Sequence, residues 1–269
     1  MTKRSNSRYR KTGLFLNRLL QVALFTGFTL VMLSSFHHTT PVPHAEMAVH
    51  FRVYVHGEPL ELKKKYKNPF GELFEISRLR FYVGQITPVY SDSGLRPPVR
   101  SLYHLIDLSD SLSTNMVIPV RAGTCRGIQF LLGVDSVDQS QGAQTGALDP
   151  ALGMFWTWNS GYQTFKMEGY SPSSTQPAHL VAYHIGGYRY PYNTVWKIRI
   201  NTTDDEEFRI TKENKITIEI PMELDYFFDG ETPLHIGETP ACTTPGELAW
   251  KISENVVGSF KGVSLTKNP

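Results

Sequence analysis

The chain has 269 residues, with 27 lysines and arginines against 25 acidic residues and a formal charge of +2. Six of the 27 basic residues and none of the 25 acids fall within the first 45 positions, so the remainder carries 21 basic against 25 acidic residues, a net charge of −4. That balance excludes a basic face for nucleic acid. The remaining stretch is within the range of one all-β domain with a sizeable core.

Lys3, Arg4, Arg8, Arg10, Lys11 and Arg18 lead into an apolar run from Val22 to Leu33. A positive stretch followed by an apolar one is the order of an export signal. The run is shorter than the about 20 apolar residues a membrane span needs. Cleavage is therefore expected, and an N-terminal membrane anchor stays open if the segment extends back to Gly13 across Arg18. Residues 1–45 read as signal peptide or signal anchor plus linker, with His37, His38 and His44 in the Pro-containing junction. Residues 46–269 read as one domain, periplasmic or secreted, and held at the inner membrane if the signal stays uncleaved.

Val49 to Val55 alternates, and His56, Gly57, Glu58 and Pro59 turn it into Leu60 to Leu62 as a hairpin. Phe74 to Val89 is rich in β-branched and aromatic residues and predicts a second strand region. Shorter strands follow at Tyr103 to Leu108, Met116 to Val120 and Gly127 to Val134. Asp135 to Pro150 is polar and Gly-rich, a long excursion of the kind that usually serves function. Asp135 and Asp149 in it suit turn caps or a calcium site. Strands are predicted again at Phe155 to Lys166, His179 to Ile185, Thr194 to Ile200 and Lys215 to Ile220. A helix is predicted at Pro245 to Phe260, where Trp250, Ile252, Val256 and Val257 recur at roughly helical spacing. The expected fold is all-β, an antiparallel β-sandwich with long loops and a short C-terminal helix.

The stretch from Met154 to Tyr162, MFWTWNSGY, carries the most chemistry. On a regular strand Met154, Trp156 and Trp158 share one face, so a thioether and two indoles line one surface. A buried aromatic layer is the plain alternative. His184, in YHIGGY, supplies the residue type that most often binds copper or zinc, beside two glycines that allow close backbone approach. His50 and His56 flank the first strand about 20 Å apart when it is extended, so one of them at most joins His184. His104, His179 and His235 have no ligand pattern and are read as structural. Cys125 and Cys242, in an exported chain, are expected to form one disulfide, with thiolate ligation of a metal as the alternative. No GxSxG, HExxH or Cys/His nucleophile motif occurs, which leaves a hydrolase without support.

These segments resemble a known family, the MbnP-like periplasmic copper-binding proteins, named for a member encoded beside methanobactin biosynthesis. The resemblance runs through GEPLEL (Gly57 to Leu62), ISRLRFYVGQI (Ile76 to Ile86), FLLGVDS (Phe130 to Ser136), GALDPALGMFWTWNSGY (Gly146 to Tyr162), KMEG (Lys166 to Gly169) and YHIGGY (Tyr183 to Tyr188). It implies a β-rich domain that binds one copper ion, as Cu(I), in copper homeostasis. It also implies that the first tryptophan of a WxW motif, here Trp156, is oxidised to kynurenine by an exported MauG-type diheme cytochrome c peroxidase. The chain would then be that partner's substrate and not an enzyme. An indole N–H only donates, whereas the ring-opened product offers an aniline amine with a lone pair. The ligand set so implied is Trp156 as kynurenine with His184, Met154, and His50 or His56. A secreted β-sandwich binding or adhesion module without metal is the competing reading.

Overall fold

A computed structural model describes residues 44–92, 102–157, 160–202, 206–214 and 216–267. The segment expected to be an export signal, the histidines His37 and His38 expected in its linker, and Trp158 lie outside the described residues. Among those described, no helix is long and apolar enough to cross a membrane.

The chain enters through β1 (His44–Val55), in which Met47, Val49, Phe51, Val53 and Val55 are buried in the core. The intervening His50, Arg52 and Tyr54 take the other face, as the period of two requires. His56 and Gly57 both adopt positive φ, 54° and 75°, and turn β1 into β2 (Glu58–Pro59). Two adjacent left-handed residues fit the right-handed twist of a hairpin. β3 (Lys65–Lys67) then leads into β4 (Leu73–Tyr90), an 18-residue strand whose Phe74, Ile76, Leu79, Phe81 and Val83 face the core.

β5 (Tyr103–Asp107), β6 (Asn115–Arg121) and β7 (Gly123–Leu132) precede the excursion, and β8 (Gln163–Tyr170), β9 (Leu180–Gly186) and β10 (Trp196–Asn201) follow it. The chain ends with β11 (Phe208–Ile210), β12 (Ile216–Glu223), the short α2 (Leu224–Phe228), β13 (Ala241–Cys242), α3 (Glu247–Gly258) and β14 (Ser264–Lys267). One sheet runs β14-β12-β1-β2 with β6 also on β1; the other runs β10-β7-β4-β8-β9-β13 with β3 and β5 on β4 and β11 on β7. The inner faces of both contribute to one apolar core that includes Phe51, Phe81, Phe130, Phe165 and Tyr183.

The β-sandwich expected from the alternating strands is present, with its C-terminal helix at α3. Two pairings depart from a purely antiparallel pattern: β1 runs parallel to β12, and β13 parallel to β9. The long connection from β1 to β12 passes through most of the chain, which is the length of crossover a parallel pair needs.

The disulfide expected between Cys125 and Cys242 is not formed; both residues are buried thiols. Topology gives the reason. Cys125 pairs with Tyr90 at one end of β4, whereas Cys242 pairs with Tyr183, which pairs with Met167, which pairs with Leu79. Leu79 and Tyr90 are eleven residues apart on one strand, roughly 35 Å when extended. A disulfide needs its Cα atoms within about 7 Å.

Candidate functional site

The outer face of the larger sheet divides into an apolar and a charged region. Tyr82 of β4 faces outward and is covered by the excursion, where it joins Val134, Leu148, Met154 and Tyr162 in a second, smaller apolar cluster. The excursion is held by its own polar groups. Asp135 caps the short helix α1 (Ser136–Ser140) and accepts from Tyr103 Oη at 2.8 Å. Asp149 caps the turn at residues 150–152. The buried Gln139 accepts from the Tyr162 amide at 2.6 Å, and Tyr162 Oη donates to the Leu148 carbonyl at 2.8 Å.

This scaffold presents the MFWTWNSGY stretch in a form the sequence did not predict. A regular strand was expected from Phe155, yet β8 begins at Gln163. Phe155 bridges Tyr162, the Trp156 amide donates to the Gly161 carbonyl at 3.0 Å, and the Gly161 amide donates back to Thr157 at 2.7 Å. Its described parts, residues 154–157 and 160–162, thus run antiparallel to one another. Gly161, at φ 70°, takes the left-handed conformation that glycine favours.

Met154 is fully buried in the cluster with Tyr82. Its thioether packs in that cluster, and its carbonyl accepts from the Gln163 amide at 2.8 Å at the start of β8. Trp156 lies over Gly186 instead: a Cβ at Gly186 would stand 2.8 Å from Trp156 Cζ3, so only glycine leaves room for the indole. Gly186 and His184 are two residues apart on β9 and share its outer face, about 7 Å along the strand. Trp156 thus lies against the same outer face of β9 that carries His184.

Around His184 the outer face is charged. His184 Nε2 lies 2.8 Å from Glu168 Oε1. Glu168 Oε2 accepts from Arg78 at 2.7 Å, and Lys166 Nζ lies 3.3 Å from Glu168 Oε1 while donating to the Gly153 carbonyl at 3.2 Å. Burial, and then the neighbouring Lys166 charge, hold the His184 imidazole below its ordinary pKa of 6.5. Burial alone would raise the Glu168 carboxyl, but Lys166, the hydrogen bond from His184 and Arg78 together outweigh it and leave it lowered. The state near neutral pH is accordingly a neutral imidazole donating to a carboxylate. Nε2 carries the hydrogen, and the Nδ1 lone pair has no hydrogen-bond partner among the described residues.

The two N-terminal histidines do not reach this place. His50 stands on the outer face of the smaller sheet, opposite Glu219 on β12, with its pKa lowered by burial and by Arg52. Both sheets, about 10 Å apart in backbone alone, separate it from His184. His56 is in the β1–β2 turn, with Nδ1 3.1 Å from Asp225 and Nε2 2.8 Å from the Lys67 carbonyl. Both of its nitrogens have structural partners. His179 binds the Ser174 carbonyl at 3.0 Å, and His235 stacks on Phe70. Among the described residues no three His, Cys, Asp or Glu side chains converge as a ready metal cluster.

Lys166, Glu168 and Arg78 carry no motif that marks them as site residues in the sequence. The available signal was the i, i+2 spacing of Lys166 and Glu168, which puts an ammonium and a carboxylate on one strand face.

Comparison with known proteins places the fold and the family. No curated protein matches the chain. Among solved structures, MbnP from Methylosinus trichosporium is similar over 83% of this chain and 99% of that one, with a TM-score of 0.57 at 13% sequence identity, a likeness of fold. The family model described as MbnP matches residues 44–244, from the first strand through β9 and β13 and including both Trp156 and His184; the chain belongs to the MbnP family.

Proposed function

We propose that this protein is an exported copper-binding protein whose site is built on His184 and completed when Trp156 is oxidised to kynurenine. The carrying observation is the juxtaposition on β9: an imidazole whose Nε2–H is engaged by Glu168, leaving Nδ1 available, beside a tryptophan seated on Gly186. A carboxylate behind a ligating histidine fixes its tautomer and raises its basicity, the arrangement found behind metal-bound imidazoles. The donor set is one of borderline nitrogen ligands. Imidazole and an aromatic amine are nitrogen donors suited to copper, and an unmodified indole, which only donates, has nothing to offer it.

Trp156 is half-buried and Thr157 beside it is exposed, so an oxidising partner has access to the hairpin edge. A MauG-type diheme cytochrome c peroxidase of the same compartment is the partner this reading requires, and the protein is its substrate. When bound, copper would supply reversible one-electron chemistry or be stored and passed on in copper homeostasis. The chain's own residues bind and orient the ion and hold the His184 proton at Nε2.

Intact-mass analysis of the exported protein tests the proposal: conversion of tryptophan to kynurenine adds about 4 Da, localisable to Trp156 by fragmentation. Copper titration of the modified protein should lose its tight phase in both Trp156→Phe and His184→Ala. A second reading has its own observation. A cleft of about 300 Å³ beside the hairpin is lined by Tyr188, Arg189, Tyr190 and Tyr192, with Tyr190 97% exposed, and would suit a stacking ligand. Copper affinity unchanged in both variants would favour that binding-module reading.

A further inference from the structure

Tyr188, Tyr190 and Tyr192 recur at every second position after β9, with Arg189 between the first two. With Pro245 and Gly246 they line an open cleft of about 300 Å³, at the lower end of the range for small-molecule sites. Tyr190 is 97% exposed, so the fold gains no burial from its ring. Tyr192 is 37% exposed and meets Trp250 with ring centroids 6.5 Å apart. Exposed tyrosines scattered singly need no explanation, but three around one cleft form an aromatic surface that packing does not account for.

The loop that carries them is held at its ends. The Gly187 carbonyl accepts from the Thr194 amide at 2.8 Å and from Thr194 Oγ1 at 3.0 Å, and that hydroxyl lies 3.0 Å from Thr164 Oγ1 in the interior. Two glycines make the space. A Cβ at Gly187 would stand 3.1 Å from Pro245 Cβ, and one at Gly161 would stand 3.2 Å from Tyr188 Cε1. A cleft fixed in this way leaves less to be ordered when a ligand enters.

Arg189 is the one charged residue among the described residues that line the cleft. Its guanidinium leans on Tyr188, with Cζ 5.4 Å from the ring centroid and Nη2 donating to Tyr188 Oη at 3.4 Å. Among the described residues no carboxylate pairs with it, and Glu247, next to Gly246 in the chain, is taken by Lys251 at 2.7 Å. A guanidinium resting on a ring keeps most of its N–H fork available, and that fork matches a carboxylate in two parallel bonds.

We propose that this cleft binds a small aromatic carboxylate, its flat ring stacked on the tyrosines and its acid group held by Arg189. The inference deepens the stacking-ligand reading of the cleft and does not rest on copper, because neither His184 nor Trp156 lines it. Phenol rings favour a flat π-system through offset or edge-to-face contact. An unmatched guanidinium favours an anion over a neutral group.

The test titrates the full chain with three probes: 2-naphthoate, its neutral amide 2-naphthamide, and adamantane-1-carboxylate, which keeps the charge and a similar bulk but is not flat. 2-Naphthoate is expected to bind with a Kd of about 1 mM or tighter, as ligands of its size do. The amide should bind about tenfold more weakly or worse, and adamantane-1-carboxylate about threefold more weakly or worse. Tyr190→Ala should weaken 2-naphthoate about twofold to tenfold, and Tyr190→Phe should leave it unchanged. Arg189→Gln should weaken it about tenfold to hundredfold and abolish the preference for acid over amide. Both side chains are exposed, so an unfolding midpoint equal to that of the wild type shows that such losses are local. Equal affinity for acid and amide, or 2-naphthoate binding that survives both Tyr190→Ala and Arg189→Gln, overturns the proposal. Equal affinity for adamantane-1-carboxylate also overturns it while leaving the cleft a binding site, and no binding of any probe at millimolar concentration overturns both. Neither failure touches copper binding, which His184→Ala tests separately.

Discussion

His184 Nε2 stands 2.8 Å from Glu168 Oε1, joining two residues that are diagonal neighbours on the outer faces of β9 and β8. The carboxylate can only accept, so this one contact decides which imidazole nitrogen keeps a lone pair. Glu168→Gln preserves the shape and removes the charge. Copper affinity is expected to fall about tenfold to hundredfold, the usual cost of losing a carboxylate behind a ligating histidine. Stability should fall by only about 1 kcal/mol, because the ion pairs it breaks are partly exposed. Chelator competition and urea denaturation on the same variant separate the two effects.

The pH dependence follows from the same pair. Burial and the Lys166 charge hold the folded pKa of His184 below 6.5, so the imidazole is already neutral there. Copper affinity should decline as pH falls, with the decline centred below 6.5. Folding stability should weaken in two stages. A histidine with a lowered pKa favours the fold above 6.5 and loses that contribution as pH falls through its folded value. Glu168, lowered from 4.5, contributes fully above 4.5 and loses its share as pH falls through its own folded value. Acid unfolding of His184→Gln should lack the first stage, and that of Glu168→Gln the second.

Gly186 gives a steric test of the Trp156 position. Alanine on a strand is ordinarily tolerated at least as well as glycine. Here its Cβ would stand 2.8 Å from Trp156 Cζ3 and 3.1 Å from Gln163 Cα, which a folded chain does not accommodate without movement. Gly186→Ala should lower stability by about 1–3 kcal/mol through overpacking. It should also displace the indole, seen as a change in tryptophan fluorescence, and lower the fraction of Trp156 converted by the partner. Full conversion with unchanged fluorescence would show that the indole does not depend on this seat.

The strands and the C-terminal helix were legible because alternating burial is written directly into segments such as Val49 to Val55 and Phe74 to Val89. Trp156 and His184 stood out as candidates through the two-residue spacing of the tryptophans, the imidazole beside two glycines and the family resemblance. Their partners were not. Lys166 and Glu168 meet His184 only through the pairing of β8 with β9, and register is a property of two strands that neither segment shows alone. The burial of Met154 was hidden for a related reason: its apolar neighbours Tyr82, Val134 and Leu148 come from other segments and are brought to it only by the fold. His50 shows the same limit, since parity fixes its face on β1 but not which side of the sandwich that face becomes.

The cysteines offer the last test, and it bears on how an exported domain of this kind is stabilised. Cys125 is fully buried on β7, and Cys242 is 6% exposed on β13, with its thiol pushed up by burial. A bridge between them would require β7 and β13 to abandon their places in the sheet. The apolar core, extending through both sheets, is large enough to make such a staple unnecessary. Denatured but unreduced protein should therefore take up two equivalents of an alkylating reagent, one at each of the two cysteines. Native protein should react slowly at both, because neither thiol is accessible and the thiolate is the reactive form. Cys242→Ser should leave the midpoint of thermal unfolding the same with and without reductant. A midpoint that drops on adding reductant to the wild type, together with failure to alkylate the denatured protein, would mean that a disulfide holds the domain after all.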